Sequence, residues 1–294
     1  MTLRLGTRGS ALALAQARLV AERLPGDVEV IPIRTSGVPG PQGDKGRFVK
    51  ELEEALLDER IDMAVHSAKD VPSKLPAGLA IVGVPDRADP RDALCGADSL
   101  EELPEGASVG TASLRRRAQL LALRPDLRVG DLRGNVDTRL QRLADGEYDA
   151  LVLAAAGLTR LGRPDEGVPI PASELTPAPG QGALVLEARA DDERCGSIAA
   201  ALTDRDDLLR LTAERALVAE LDASCRTPLA AQAELADGRL RLSAFAGLPD
   251  GSRWIRDSVE AEAGDPAAIG REVARRMLAI GASELLAEAE RAGA

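Results

Sequence analysis

Over residues 1–200, short apolar runs typical of buried strands alternate with longer stretches whose apolar residues recur at helical spacing. The runs predicted as strands are residues 3–6, 28–34, 61–65, 79–84, 107–110, 127–132, 150–153 and 184–188. The stretches predicted as helices are residues 10–24, 47–58, 113–123 and 136–143. This alternation indicates α/β domains with mostly parallel sheets.

The pattern changes after Asp206. A helix is predicted over residues 208–221, and two strands at 231–235 and 240–245 are joined by Asp237-Gly238, a strong hairpin signal. A third strand at 254–262 and a final helix at 267–288 complete a smaller α+β domain.

Two irregular stretches divide the α/β part. Residues 85–92 are rich in proline and charge and are typical of a linker, and residues 164–179 precede a strand that returns to one of the units. The expected domains are residues 1–86 with 183–203, residues 90–178, and residues 206–294. A third irregular stretch, the glycine- and proline-rich loop 36–46, is consistent with a mobile lid or with a passive surface loop.

Composition narrows the classes of partner. Hydrophobic residues make up 45% of the chain and aromatic residues 1%, so the cores must be aliphatic. A net charge of −11 argues against nucleic acid or an anionic membrane as the main partner. The first residues lack the apolar run of a signal peptide, and no apolar run reaches the roughly 18 residues needed for a membrane span, so we expect neither a signal peptide nor a membrane span.

The number and spacing of cysteines and histidines limit the metal sites and disulfides that the chain could contain. Three widely spaced cysteines fit a reducing cytoplasm, with neither a disulfide framework nor zinc spacing. A single histidine rules out a histidine-rich metal site, and we expect no metal.

Arginines gather at three predicted strand-to-helix junctions. The junctions are Gly-Thr-Arg-Gly-Ser at 6–10, Gly-Thr-Ala-Ser-Leu-Arg-Arg at 110–116 and Asp-Leu-Arg-Gly-Asn at 131–135, with Arg139 one turn further. Ser10, Ser113 and Asn135 suit helix N-caps. Cations at this end of a helix oppose its dipole unless an anion binds between them. The junctions therefore predict a cleft for a polyanion, which Lys69 and Lys45 could extend.

The residues leave three interpretations of these arginines open. Arginine forms 33 of the 37 basic residues, which a general compositional bias would also produce. A two-lobed binding protein for a small dicarboxylate would use such a cleft, and so would a phosphoryl- or phosphoribosyl-handling transferase. No P-loop or Gly-x-Gly-x-x-Gly motif is present, so a nucleotide is not favoured.

The segment Val-His-Ser-Ala-Lys-Asp-Val-Pro, residues 65–72, follows a predicted buried strand. Ligands of α/β sheets bind beyond such strand ends. Asp70 is either a carboxylate neutralised by Lys69 or one that stabilises a developing positive charge and moves a proton. His66 faces away from Ser67 on a strand and is expected to support the structure. Cys225 is either an inert packed thiol or a thiolate stabilised by Arg226.

Nine stretches of the chain, in order over about residues 3–230, resemble the porphobilinogen deaminase family. They are TRGSALA (7–13), FVKELE (48–53), VHSAKDVP (65–72), DPRDA (89–93), GTASLRR (110–116), LRGNV (132–136), AAAGL (154–158), GQGA (180–183) and TAER (212–215). The resemblance implies an α/β fold with two lobes like those of type II periplasmic binding proteins, the active site between them, and a smaller C-terminal α+β domain.

The resemblance also implies an activity and a cofactor. Four porphobilinogen molecules would be joined head to tail with loss of ammonia, on a dipyrromethane held by a thioether to Cys225, and hydroxymethylbilane would be hydrolysed off. Asp70 corresponds to the catalytic aspartate, which stabilises an azafulvene-like cation. The enzyme is expected to be a cytoplasmic monomer that binds no nucleic acid and no membrane.

The remaining implied site residues fall into two groups. Those implied to bind the cofactor are Ser67, Lys69, Thr111, Ser113, Arg115, Arg116, Arg133 and Lys45. Those implied to bind substrate are Arg8, Ser10, Phe48, Arg139, Arg160 and Gln181. The chain departs from the family pattern beside Cys225, where Ala223-Ser224 stand in place of glycines.

Overall fold

The computed structural model describes residues 2–33, 43–224 and 227–292, without side-chain detail for residues 43–48. The strands are β1 (Leu3–Arg8), β2 (Val28–Ile33), β3 (Met63–Ser67), β4 (Leu79–Gly83), β5 (Asp92–Cys95), β6 (Ser108–Gly110), β7 (Arg128–Gly130), β8 (Ala150–Ala154), β9 (Val168–Pro169), β10 (Leu184–Arg189), β11 (Leu229–Ala236), β12 (Arg239–Gly247) and β13 (Trp254–Glu262). The helices are α1 (Ala11–Ala21), α2 (Gly43–Leu57), α3 (Leu114–Leu123), α4 (Val136–Ala144), α5 (Ala155–Arg160), α6 (Glu193–Leu202), α7 (Arg205–Glu220), α8 (Pro266–Ala279) and α9 (Ala282–Ala292), and 3₁₀ turns lie at Ala68–Asp70 and Pro164–Glu166.

The chain divides into two compact units. The first unit is Met1–Ala88 with Ala183–Leu208, and the second is Asp89–Gly182 with Leu209–Ala294. The three-domain boundaries given above stay a prediction. In the part of the chain that the structure describes, no helix is long and apolar enough to cross a membrane.

The first unit contains a five-stranded sheet in the order β2-β1-β3-β10-β4. β2, β1 and β3 run parallel, whereas β10 is antiparallel to both β3 and β4. Aliphatic side chains from β1, β3, β10 and α1 form its core, for example Leu5, Met63 and Leu186, which have no exposed surface. Burial of each such side chain contributes roughly 1.5–3 kcal/mol, so the sheet is stable without aromatic residues.

The second unit repeats this plan in the order β7-β6-β8-β5-β9. β7, β6 and β8 run parallel, and β5 is antiparallel to both β8 and β9. In both sheets the antiparallel strand is the fourth across, next to three parallel strands. The parallel strands point their carboxyl ends to one edge, where the junctions predicted to carry arginine are found.

A third sheet, β11-β12-β13, is antiparallel and belongs to the second unit. Its core is shared with α7, α8 and α9, through residues such as Leu217, Val273 and Leu286. Asp237 and Gly238 have φ values of 51° and 74° and join β11 to β12, as the hairpin signal predicted. Two equivalent α/β sheets and a smaller α+β part confirm the expected fold class.

Some predicted elements were wrong. The final helix is two helices, because Gly281 has a φ of 95°, a left-handed conformation that interrupts helical hydrogen bonding. The predicted linker 85–92 contains the boundary between the two units, after Ala88, and only its last residue departs from the prediction: Asp92 is the first residue of β5 and is completely buried. α6 was not predicted; Asp192 caps it by accepting a hydrogen bond from Cys195 N at 2.9 Å.

Candidate active site

Asp70 lies in the 3₁₀ turn that follows β3 in the first unit. Ala68 N donates a hydrogen bond to Ala183 O at 3.0 Å, which ties this turn to the chain just before β10. Asp70 lines a pocket together with Arg8, Ser10 and Ser67, and its Oδ1 atom is buried. The carboxyl ends of β1 and β3 thus bring a carboxylate, a guanidinium group and two hydroxyls around one concavity. Lys69, half-buried, belongs to the same turn.

The Ser67 hydroxyl is held by Gln16, a residue that sequence reasoning missed. Gln16 is 5% exposed, and its Nε2 donates to Ser67 Oγ at 3.0 Å. It lies on the buried face of α1 with Ala13, Ala17 and Val20. Its place in that apolar helical pattern was a signal that could have revealed a buried polar contact.

Ser10 is the N-cap of α1, as predicted, and its Oγ accepts a hydrogen bond from Ala13 N at 3.3 Å. The hydroxyl is therefore directed toward the helix terminus that borders the pocket. Asn135 caps α4 in the same way, accepting from Thr138 N at 2.8 Å. Both contacts fix the strand-to-helix junctions on which the arginines lie.

A cluster of buried ionisable groups lies beside the pocket. His66, which also lines the pocket, places its Nε2 2.9 Å from Glu187 Oε2. Glu53, on α2, is 7% exposed. Burial, and next the charge of Glu187, raise the pKa of Glu53 to about 6. The cluster contains two carboxylates and one imidazole, none of which was predicted as a site residue.

In the second unit, Arg115 and Arg116 converge on one carboxylate, Asp92. Asp92 Oδ2 accepts from Arg115 Nη1 at 2.7 Å, and Asp92 Oδ1 accepts from Arg116 Nη2 at 2.7 Å. The arginines are 5% and 6% exposed, and Asp92 is 0% exposed. Burial alone would raise the pKa of Asp92, but the two arginine charges and hydrogen bonds from Arg115 and Gln181 hold it well below its usual value.

The arginines around Asp92 carry more positive charge than the carboxylates that contact them. Two guanidinium groups share one carboxylate, and the half-buried Arg139 lies close enough for Arg116 to influence it. Burial, and next the charge of Arg116, lower the pKa of Arg139. Arg133 is exposed and contacts Asp131, with Nε and Oδ2 2.9 Å apart. An excess of positive charge on partly buried side chains favours the binding of an anionic ligand.

Ser113 and Thr111 shape the start of α3 beside the arginines. Ser113 is the predicted N-cap, with its Oγ accepting from Arg116 N at 3.4 Å. Thr111, which is buried, accepts a hydrogen bond from Ser113 N at 3.3 Å through its Oγ1.

Gln181 and Arg160 meet at a glycine-flanked loop of the same unit. Gln181 Nε2 donates to Asp92 Oδ1 at 2.9 Å, and Arg160 Nη2 donates to Gly182 O at 2.6 Å. The loop therefore brings Gln181 to the arginine pair. Sequence reasoning missed Asp92, the residue that connects them.

Three predicted residues lie outside what the structure describes. Cys225 falls between the described residues Ser224 and Thr227, and the side chains of Lys45 and Phe48 are not described. The other two cysteines are buried. Burial raises the pKa of the Cys95 thiol to about 11 and that of the Cys195 thiol to about 12.

The site residues can be grouped by unit. The first unit holds Arg8, Ser10, Ser67, Lys69 and Asp70, and the second holds Thr111, Ser113, Arg115, Arg116, Arg133, Arg139, Arg160 and Gln181. Most of these predicted residues lie at or just after the ends of parallel strands, whereas Arg139 lies on α4, Arg160 ends α5 and Gln181 lies on the loop before β10.

Two solved structures are distantly similar to this chain. A periplasmic substrate-binding protein of an ABC transporter from Coxiella burnetii is 16% identical, with a TM-score of 0.39, covering 70% of this chain and 94% of that one. The L-cystine solute receptor of Neisseria gonorrhoeae is 15% identical, with a TM-score of 0.38, covering 68% of this chain and 85% of that one. Scores of this size carry no argument about function.

Sequence comparisons are far closer. Residues 3–197 match the family model "Porphobilinogen deaminase, dipyromethane cofactor binding domain", and residues 208–279 match "Porphobilinogen deaminase, C-terminal domain". The porphobilinogen deaminase of Thermus thermophilus is 50% identical, covering 96% of this chain and 97% of its own length. That of Deinococcus radiodurans is 47% identical, covering 97% and 98%. On these matches, the chain belongs to the porphobilinogen deaminase family.

Proposed function

We propose that this chain joins four porphobilinogen molecules head to tail, with Asp70 as its catalytic carboxylate and Cys225 as the residue that holds a covalent dipyrromethane. Each addition releases ammonia, and the linear product, hydroxymethylbilane, is finally hydrolysed off. The transferase reaction and the cofactor follow from the family. The observation that carries the residue assignment is the position of Asp70, at the end of β3 in a pocket with Arg8, Ser10 and Ser67.

The cationic groups of the site suit the acidic side chains of both cofactor and substrate. Each porphobilinogen ring carries an acetate and a propionate, and arginine binds carboxylates through two parallel hydrogen bonds. The surplus of positive charge around Asp92 fits such a ligand. When bound, the dipyrromethane supplies the pyrrole ring to which the first substrate is joined.

The two groups of predicted binding residues keep their assignments in this proposal. Those that would hold the cofactor are Ser67, Lys69, Thr111, Ser113, Arg115, Arg116, Arg133 and Lys45. Those that would bind substrate are Arg8, Ser10, Phe48, Arg139, Arg160 and Gln181.

Asp70 suits the charge that develops during the reaction. Departure of ammonia from the substrate leaves a positive charge spread over its pyrrole ring. A carboxylate beside that ring stabilises the charge and accepts hydrogen bonds from the pyrrole N–H. The same oxygens can take up the proton that leaves when the new carbon–carbon bond has formed.

Cys225 is the cysteine whose assignment follows from the family. A thioether forms from a thiolate, so a buried thiol with a raised pKa is a poor candidate. Both Cys95 and Cys195 are of this kind. These two observations support Cys225 as the attachment point.

The proposal also includes the chain's setting. We infer a cytoplasmic monomer whose partner is the small-molecule substrate and neither nucleic acid nor membrane. The net charge of −11 supports the exclusion of nucleic acid and anionic membranes, because a polyanion would be repelled outside the local arginine cluster. Size-exclusion chromatography with light scattering would report the mass of the native particle.

Intact mass and product stoichiometry test the function together. We expect the purified protein to carry a dipyrromethane adduct and, with porphobilinogen, to release one ammonia for each molecule consumed and one linear tetrapyrrole for every four. A binding protein for a dicarboxylate would show an unmodified mass and no ammonia. A dependence on metal or nucleotide would indicate a phosphoryl-handling transferase.

A further inference from the structure

The carboxylate of Glu214 connects two backbone segments of the second unit. Glu214 lies on α7, and its side chain is completely buried. Its Oε2 accepts a hydrogen bond from Gly180 N at 2.6 Å, and its Oε1 accepts one from Ala233 N on β11 at 2.8 Å. Hydrogen bonds to an ionised acceptor in a buried place are stronger than neutral ones, so this carboxylate holds both segments firmly.

One of these segments is the loop Gly180-Gln181-Gly182. Gly180 and Gly182 have φ values of 73° and 86°, a conformation that glycine adopts without strain. Between them, Gln181 is 1% exposed, and its amide donates to Pro90 O at 2.7 Å as well as to Asp92 Oδ1. The backbone position that Glu214 sets at Gly180 therefore decides where the Gln181 amide lies.

The Gln181 amide donates to Asp92 Oδ1, which also accepts a hydrogen bond from Arg116. Asp92 Oδ1 accepts from Arg116 Nε at 2.9 Å, while its Oδ2 receives Arg115. Glu214 is thus connected by a hydrogen bond to Gly180, through the chain to Gln181, and by further buried hydrogen bonds to Asp92 and two guanidinium groups. Because a carboxylate with this many donors has one best orientation, a displaced Gln181 amide would turn Asp92 and both arginines with it.

We propose that Glu214 is a positioning residue for the Arg115–Arg116 pair, which it orients through Gly180, Gln181 and Asp92. This inference rests on the proposed function, in which the pair binds carboxylates of the growing pyrrole chain. Glu214 is completely buried on α7, so in this proposal it acts through the hydrogen-bonded backbone and not on the ligand itself.

Glu214→Gln tests this role with little change in size. A glutamine has one carbonyl acceptor for two backbone N–H groups, so its NH₂ must face one of them. We expect a folded variant whose KM for porphobilinogen rises about tenfold, or whose adduct-bearing fraction falls severalfold, with kcat of the adduct-bearing enzyme within about twofold. Hydrogen exchange in residues 177–183 and 90–95 should speed up in the same variant.

Glu220→Gln is the matched control, because Glu220 is exposed in the last turn of the same helix. It should leave KM, adduct fraction and exchange unchanged. A folded Glu214→Gln protein with the KM and adduct fraction of the unmodified chain overturns the proposal. A purely structural role would lower only the melting temperature.

A double-mutant cycle tests whether Glu214 acts through Gln181. Gln181→Ala should raise KM in the same direction, and the double variant should be no worse than the more affected single variant. Additive effects overturn the proposed series. If Glu214→Gln does not fold, Glu214→Asp carries the same comparison; if neither folds, Glu214 serves folding and the proposal is wrong. An unmodified chain without porphobilinogen turnover would instead overturn the proposed function.

Discussion

His66 and Glu187 face each other across antiparallel strands, with Nε2 and Oε2 2.9 Å apart. In the strand register Val185 is opposite His66, so Glu187 is its diagonal neighbour. The pairing of β10 with β4 shifts register between Leu186 and Glu187, and such bulges redirect side chains. The pair therefore fixes the end of β3, directly before the turn that carries Asp70.

Removing one partner of this pair should cost more than removing both. His66→Leu and Glu187→Leu should each lower the free energy of unfolding by about 3 kcal/mol, because each leaves a buried polar group without its counterpart. The double variant should recover most of the loss, since two apolar side chains can pack there. Urea denaturation of the four proteins measures the coupling, and strictly additive losses would contradict the pairing.

Glu53 should make stability depend on pH in a defined window. Its pKa is raised from 4.5 to about 6, so the folded protein binds a proton that the unfolded chain releases. The associated stability is fully present below pH 4.5 and is lost as the pH rises through about 6, by about 1–2 kcal/mol.

Glu53→Gln removes this dependence, because the amide does not titrate. Relative to the unmodified chain, the variant should gain stability as the pH rises from about 4.5 to 6. Glu101→Gln is the control, since Glu101 is exposed and is not among the charges that shift the pKa of Glu53. Urea midpoints at several pH values measure the difference, and a constant gap would mean that Glu53 does not titrate in this window.

Asp70→Asn should reduce turnover by about 100-fold or more, because the amide keeps the shape of the side chain but loses its negative charge. The variant should fold and keep its adduct, as circular dichroism and intact mass would show. Asp58→Asn, at a side chain 66% exposed, should have the rate of the unmodified enzyme. A folded Asp70→Asn protein with that same rate would exclude the catalytic assignment.

Cys225→Ala should abolish covalent attachment. Intact mass should show no adduct on this variant, whereas Cys95→Ala and Cys195→Ala should keep it, because those buried thiols have raised pKa values. An adduct that persists on Cys225→Ala, or disappears from either of the other two, would place the attachment elsewhere.

Local signals in the sequence predicted the framework of the fold. The caps at Ser10, Ser113 and Asn135 are where the sequence predicted them, since a cap depends on residues within one helical turn. The turn at Asp237-Gly238 depends on two residues and was also correct. The break between α8 and α9 at Gly281 was missed, because one glycine in an alanine-rich helix does not by itself predict a left-handed conformation.

The buried partners of the site residues could not be predicted in this way. Asp92 is in a proline- and charge-rich stretch typical of a linker, and only the converging arginines show why it is buried. Glu214 is one of several acids in an ordinary helical pattern, and Glu187 is one acid in an ordinary strand pattern. Their roles depend on segments far along the chain, which no local pattern encodes.

The place of β10 between β3 and β4 has a consequence for biosynthesis. β3 and β4 are close in sequence, at Met63–Ser67 and Leu79–Gly83. The strand that pairs with both of them, β10, is made about 100 residues later and ends at Arg189. While the ribosome is still making the residues between, β3 and β4 each lack the neighbour that will satisfy their backbone groups. The N-terminal sheet can therefore close only after the second sheet has been synthesised, so the nascent chain must keep two open strand edges from aggregating until then.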